Sequence, residues 1–276
     1  MSSPLTGSAT ESARDAPCGP LPSALTVEAL EAVRAPHAEA RMFPRCAYTD
    51  PAVLAYERRA LFGAGWYAAA SECDLARPGD WARVPLYEDA LVVARDANLS
   101  ARAFHDVCSH RALLLLDGDA GRLPALRVEC PYHRWSYDLA GALRRAPGMP
   151  AGFDCASRGL ARAAVSSHFG QLFVHPDAPE FAPRARAELP PWLAELDAGL
   201  LRRARRVSWE TRANWKLVAE NFQESHHFPS VHPGLERLTA ASASSSIVRT
   251  EGAWLGGVME LADGVETVSL TARVGR

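Results

Sequence analysis

Between Trp66 and Val174 the apolar residues recur in short runs: WYAAAS, DWARVPL, ALVVAR, ARAFHD, LRVEC, WSYDL and QLFVHP. Turn residues separate these runs, among them Pro78-Gly79 and Ala140-Gly141. Runs this short, rich in Val and aromatic residues, predict strands. Together they predict a small antiparallel β domain. Helical signals flank it. Asp50-Pro51 predicts a helix to about Phe62, because Asp caps well and Pro suits the first helical position. A second helix is expected from Thr211 or Arg212 through His227, carrying apolar Trp215, Leu217, Val218 and Phe222. Asn221, Glu224 and His227 are spaced three apart, so they fall near one face of that helix. Pro229 is expected to stop it. Trp192 to Arg203 reads as an amphipathic helix and VSWET as a strand. VMELADGVETVSL reads as strand, turn, strand about Asp263-Gly264.

These elements suggest four segments. Residues 1–47 form an N-terminal extension whose first 24 or so residues, rich in Ser, Pro, Ala and Thr, are expected to be disordered. Residues 48–175 hold the leading helix and the β domain, 176–206 a Pro-rich linker and helix, and 207–276 the start of another domain. The fold class is α+β. No internal repeat is present.

Composition narrows the function. A hydrophobic fraction of 48% and a charged fraction of 22% are ordinary for a globular protein. The net charge of −2 gives no basic field for nucleic acid or an anionic membrane. The longest aliphatic run, Leu113 to Leu116, is too short to span a bilayer. No charged start with an apolar core marks a signal peptide. Cys18, Cys46, Cys73 and Cys155 are scattered, which fits a reducing cytoplasmic setting better than a disulfide scaffold.

The chemistry concentrates in two short stretches. Cys108-Ser109-His110 is followed, after nineteen residues, by Cys130-Pro131-Tyr132-His133. Two thiolates and two imidazoles suit a [2Fe–2S] cluster in which two histidines replace two cysteines on one iron. Each half fits the tip of a tight loop. The same donors would also suit structural zinc, although Cys-x-His is unusual there.

The second stretch is NWKLVAENFQESHHFPSVHP, residues 214–233. His227 and His232 suit a mononuclear iron with open positions, as in sites of two histidines and one carboxylate. Taken alone, His226-His227 could instead be a satisfied helix end near the negative pole of the dipole.

The runs CSHR and CPYHRWSYDLAG resemble the Rieske domain of ring-hydroxylating oxygenase α subunits. They do not resemble Rieske proteins of cytochrome bc complexes, which carry an extra cysteine in each loop, where Leu113 and Tyr132 stand here. The resemblance runs from about Tyr48 to about Val268. It implies an antiparallel β Rieske domain followed by an incomplete α+β, helix-grip-like catalytic domain. It implies that Cys108 and Cys130 bind one cluster iron, His110 and His133 the other, and His227 and His232 a mononuclear Fe(II). Glu224, with Asn221 on the same expected face, would act in catalysis by linking one subunit's cluster to its neighbour's iron. The family position is usually Asp, and Glu is similar to carnitine and betaine oxygenases.

The same resemblance implies a mono- or dioxygenase that hydroxylates or demethylates an aromatic or quaternary-amine substrate. Electrons would come from NAD(P)H through a separate reductase or ferredoxin, and the subunits would form a homotrimer, with or without a small subunit. The family's carboxylate iron ligand lies far downstream, whereas Arg276 is 44 residues after His232. Glu260, Asp263 and Glu266 are the carboxylates of that tail. The expectation is a chain truncated within its catalytic domain, with impaired activity. The alternative is a Rieske ferredoxin-like electron carrier without oxygenase activity.

Overall fold

The computed structural model describes residues 20–36, 38–86, 89–183, 201–239, 246–249 and 255–265. The chain divides into two compact units, Met1–Ala64 and Gly65–Arg276.

The first unit is helical. Asp50 caps the Pro51–Glu57 helix, its Oδ1 accepting from Ala52 N at 2.8 Å, with Pro51 in the first turn. The last turn widens to a π-helix over Arg58–Phe62, so the helical run ends where the sequence predicts. Val53, Ala47 and Leu25 form a small core of its own.

The second unit is built on a seven-stranded antiparallel sheet. Its strands are β1 (Tyr67–Ser71), β2 (Asp80–Leu86), β3 (Asp89–Arg95), β4 (Ala101–His105), β5 (Ala120–Arg122), β9 (Arg162–His168) and β10 (Gln171–His175), with order β1-β10-β9-β4-β3-β2-β5. A second sheet, β6 (Arg127–Glu129), β7 (Ser136–Asp138) and β8 (Leu143–Arg145), covers one face. The expected antiparallel β domain is therefore present. β5, β8 and β9 lack the strand signal that marks the others: β5 and β8 are only three residues long and largely exposed.

Strand periodicity explains the layering. On β3, Val92 and Ala94 face the core shared with the small sheet, while Leu91 and Val93 face a second core with Leu172 and Val174. All four are fully buried, so β3 reads as a continuous apolar run. Gly79 starts β2 with φ +82°, and a Cβ there would collide with the Leu123 carbonyl oxygen. Both requirements leave only glycine at that turn.

Beyond the β domain the Trp215–Phe222 helix is capped by Asn214, whose Oδ1 accepts from Lys216 N at 3.0 Å. Two short helices follow, Phe228–Val231 and Pro233–Leu238. β11 (Ser246–Arg249) pairs antiparallel with β12 (Leu255–Val258).

Several expectations need correction. The helix expected through His227 stops at Phe222. VSWET forms no strand: no described strand pairs with it, and Trp209 is 85% exposed. An unpaired strand leaves its backbone groups without partners. The first strand expected in VMELADGVETVSL is absent: β12 ends at Val258, the first residue of that run, and residues 259–262 form no strand. The turn at Asp263-Gly264 is present, with Gly264 at φ +80°, and the strand expected after it lies outside the described residues. The disorder expected over the first 24 or so residues lies outside the described residues as far as residue 19, while residues 20–24 are described. The helix expected over Trp192 to Arg203 lies outside them as far as residue 200, and its last part, residues 201–203, is not helical.

Candidate metal centres

Two loops of the same construction face each other in the β domain. The first spans 108–113 and is closed by the Val107–Leu114 bridge. The second spans 130–135 and is closed by the Glu129–Ser136 pair of β6 and β7. In each, the cysteine comes first. Cys108 N donates to Leu113 O at 2.9 Å, and Cys130 N donates to Trp135 O at 2.8 Å. Ala112 N donates back to Cys108 O at 2.9 Å, and Arg134 N to Cys130 O at 3.0 Å. The fifth residue of each loop is left-handed, Ala112 at φ 52° and Arg134 at φ 60°. Neither is glycine, so both loops hold strain of a kind that clusters at functional sites.

This construction brings four donors together. Cys108 and Cys130 are buried, and the His110 and His133 rings lie 4.8 Å apart. Burial pushes the Cys130 thiol up and the neighbouring Cys108 adds to this, while the backbone N–H groups of Tyr132 and His133 oppose it. Burial also lowers the His110 imidazole, as do the nearby His133 and Arg111. His133 Nδ1 is buried with no hydrogen-bond partner. A buried, unpaired imidazole nitrogen beside two buried sulfurs fits a metal cluster that would complete its bonding.

The surroundings anchor the loops. Asp106, two residues before Cys108, is completely buried. Its Oδ1 accepts from Leu115 N at 3.3 Å and Leu116 N at 3.2 Å, where the first loop returns. Arg83 on β2 balances its charge at 2.7 Å and also donates to Leu116 O. Burial raises the Asp106 carboxyl against the opposing pull of Arg83. The Tyr137 hydroxyl lies 3.1 Å from Cys108 Sγ and 3.0 Å from Ser109 Oγ. Trp135 stacks on His110 with a 7° angle between the rings.

The second constellation is looser. His227 caps the Phe228–Val231 helix at its N-terminus, and His232 sits between that helix and the next. Their rings are 5.1 Å apart. Glu224 Oε1 lies 2.5 Å from His227 Nδ1, and Glu224 Oε2 accepts from His226 N at 2.6 Å. The His227 hydrogen bond holds the Glu224 carboxyl below its ordinary value, with the His226 N–H assisting. Occupying Nδ1 leaves Nε2 of His227 to face a metal, the arrangement usual for a ligating histidine.

Two family models match this chain. The Rieske [2Fe-2S] domain model matches residues 65–165, and the ring hydroxylating alpha subunit (catalytic domain) model matches residues 198–275. The chain carries a Rieske domain followed by sequence of the ring-hydroxylating α-subunit catalytic domain. Among relatives of this Rieske chain, the carnitine monooxygenase oxygenase subunit of Acinetobacter baumannii is 32% identical, over 70% of this chain and 53% of that protein. The glycine betaine monooxygenase oxygenase subunit of Chromohalobacter salexigens is 34% identical, over 70% of this chain and 43% of that protein. A solved quaternary ammonium Rieske monooxygenase superposes with a TM-score of 0.66 at 30% identity, covering 72% of this chain and 56% of that one. The naphthalene 1,2-dioxygenase of Rhodococcus sp., at 24% identity, shares the fold with a TM-score of 0.65 over 87% of this chain and 57% of that one. The chain spans about half the length of the curated relatives it matches.

Cofactors of this Rieske family are the [2Fe–2S] cluster and a mononuclear iron. Among the described residues no three His, Cys, Asp or Glu side chains are grouped to hold one ion. Two protein donors per iron are what a bridged two-iron cluster asks for. Near the mononuclear position His227 and His232 stand as a pair. Glu260 and Asp263 are exposed elsewhere, and Glu266 lies outside the described residues.

The shared helical face expected for Asn221, Glu224 and His227 does not exist. Asn221 is exposed in the last turn of the Trp215–Phe222 helix, and Glu224 lies beyond its end. The cause is local. Glu224 takes the His226 N–H that a continuing helix would have used, and such side-chain bonds compete with helix propagation. Pro229 then opens the next helix instead of closing the first. Glu224 is also exposed rather than buried. Asp106 and Arg83 were not marked by the sequence, and the place of Asp106 just before Cys108 is the one local hint. Trp135 and Tyr137 lie in the CPYHRWSYDLAG run that carries the resemblance, but the run itself assigned neither a contact.

Among the described residues no helix is long and apolar enough to cross a membrane. Their cysteines, Cys46, Cys73, Cys108, Cys130 and Cys155, are all free thiols, and Cys18 lies outside the described residues.

Proposed function

We propose that this chain is the cluster-bearing and iron-binding part of a Rieske oxygenase large subunit acting on a quaternary amine. Cys108 and Cys130 ligate one cluster iron, and His110 and His133 the other. His227 and His232 ligate the mononuclear iron. Residues 48–175 form the cluster domain, 176–206 a linker, and 207–276 the iron-binding segment. The observation that carries this reading is the pair of matched loops, each giving one cysteine and one histidine to a common pocket.

The cluster, when bound, supplies single electrons, and the mononuclear iron supplies the site for dioxygen. The chain's own residues do the rest. Asp106 and Arg83 hold the first loop in place without entering the pocket. Glu224 fixes the tautomer of His227 by holding its Nδ1 proton, so Nε2 carries the lone pair. The relatives named for carnitine and glycine betaine, and the carboxylate Glu224 itself, support a quaternary amine over an aromatic ring. A reductase or ferredoxin drawing on NAD(P)H delivers the electrons, and a homotrimer sets one subunit's cluster beside its neighbour's iron. The simpler reading, an electron carrier alone, draws no support from the match over residues 198–275.

The test is reconstitution with iron and sulfide under anaerobic conditions, then chemical reduction and exposure to oxygen with glycine betaine or carnitine. The expected results are a Rieske-type electron paramagnetic resonance signal and weak amine-dependent oxygen uptake with product. A normal cluster signal with no amine dependence in any oligomeric preparation would favour the carrier.

A further inference from the structure

The histidine ring on the first loop is held in an unusual way. Metal-bound histidines generally fix their ring plane through a hydrogen bond from the nitrogen that does not face the metal. Among the described residues the His110 ring has no such bond. The Trp135 indole lies flat against it instead, with centroids 4.6 Å apart and 7° between the planes. Phe153 meets the other ring system edge-on at 5.6 Å and limits how far the indole can tilt. Trp135 is 3% exposed and packs in the same core as Cys108 and Cys130.

That position leaves the indole N–H stranded. Trp135 Nε1 is buried and donates to nothing. A buried tryptophan N–H ordinarily finds an acceptor, because nothing else offsets its lost hydration. Neither cysteine Sγ accepts from it. The surroundings are otherwise apolar: Leu139, Leu143 and Leu160 belong to the same core.

We propose that Trp135 is a positioning and tuning residue for the cluster: its ring fixes the plane of His110, and its N–H donates to an inorganic sulfide of the bound [2Fe–2S] group. The inference rests on the ligand assignment above. A hydrogen bond to a cluster sulfur favours the reduced, more negative state, so the bond raises the reduction potential. The two roles separate by substitution. Trp135→Phe keeps an aromatic stack and deletes the donor. Trp135→Leu deletes both.

The experiment is redox titration and pulsed electron paramagnetic resonance on the reconstituted full chain. Wild-type protein carrying ¹⁵N-indole tryptophan should show a ¹⁵N coupling to the reduced cluster, and Trp135→Phe should lose it. Trp135→Phe should also titrate at a lower potential with the histidine nitrogen couplings unchanged. Trp135→Leu should shift those couplings as well, because the His110 ring is freed. A wild-type potential in Trp135→Phe would overturn the tuning role, and unchanged histidine couplings in Trp135→Leu would overturn the positioning role. The labelled wild type keeps the test decisive if the variants do not fold: a Rieske signal without ¹⁵N indole coupling overturns the hydrogen bond. Absence of any Rieske signal in the wild type would instead remove the ligand assignment beneath it.

Discussion

The Tyr137 hydroxyl sits 3.1 Å from Cys108 Sγ across the cluster pocket, and the direction of that hydrogen bond is fixed by a third residue. Ser109 Oγ donates its single proton to Arg158 O at 2.7 Å. It therefore only accepts from Tyr137, 3.0 Å away. A ligating thiolate has no proton either, so Tyr137 is the donor, its one proton shared between Cys108 Sγ and Ser109 Oγ. Burial and the neighbouring Cys108 push the Tyr137 phenol well above its ordinary range, which keeps that proton in place at any physiological pH.

Tyr137→Phe should lower the cluster potential. Hydrogen bonds to charged groups are worth roughly 1.5–3 kcal/mol net, and the shift is the part of this gained on reduction, at most roughly 65–130 mV for a one-electron couple. Redox titration followed by circular dichroism checks this. An unchanged potential would mean the hydroxyl does not reach the thiolate.

His110→Ala and His133→Ala should each abolish the Rieske-type signal, since an iron that loses a ligand holds the cluster poorly. Ser109→Ala, beside them in the first loop, should keep it. Iron and sulfide analysis alongside the spectrum separates a lost cluster from a silent one. A full-intensity signal in both histidine variants would remove the ligand assignment.

Asp106→Ala should destabilise the β domain by about 3–5 kcal/mol, because it leaves Arg83 half-buried without its partner and two backbone N–H groups without an acceptor. Asp106→Asn keeps an acceptor for Leu115 and Leu116 and should recover part of the loss. Urea denaturation of the two variants measures the split. Equal stability of both variants would mean that the loop bonds carry none of the effect.

Asp80 links the start of β2 to β5, accepting from Arg122 Nε at 2.7 Å and Arg77 N at 2.8 Å. Burial opposes its ionisation, but the bonds from Arg122 and Arg77 outweigh this and lower its pKa below the ordinary 3.8. The unfolded chain then binds the proton first as pH falls. The contribution is complete above the unfolded value and is lost as pH drops through the lower folded one. Asp80→Asn should therefore cost about 1–2 kcal/mol at pH 7 and progressively less below about pH 4. Thermal melts from pH 7 to pH 3 should show the two proteins converging.

Glu224→Gln should weaken Fe(II) binding about 10- to 100-fold while leaving the cluster intact, because the amide no longer attracts the His227 proton. Ferrous iron titration with the Rieske signal as internal control reads both centres at once. Unchanged iron affinity would detach Glu224 from the metal site.

The sequence by itself determined most of the β domain and the identity of the metal donors. Runs such as DWARVPL and ALVVAR alternate toward two cores, and a strand buried on both faces is legible from its apolar run alone. Cysteine and histidine are chemically distinctive, so Cys108, His110, Cys130 and His133 could be named from spacing. Tertiary structure decided how they are held. The loops' common hydrogen-bond pattern, the left-handed Ala112 and Arg134, and the buried Asp106–Arg83 pair depend on partners up to 33 residues away, which no local pattern carries. The same limit explains the error around Glu224. Apolar spacing favoured a continuous helix, but one side-chain oxygen on the His226 N–H ended it. Periodicity reports which faces are buried; it is silent on which single hydrogen bond wins at a helix end. Trp135 shows the same division, since the run WSYDL was legible but its place at the end of the loop before β7, its ring on His110 and its stranded N–H belong to the fold.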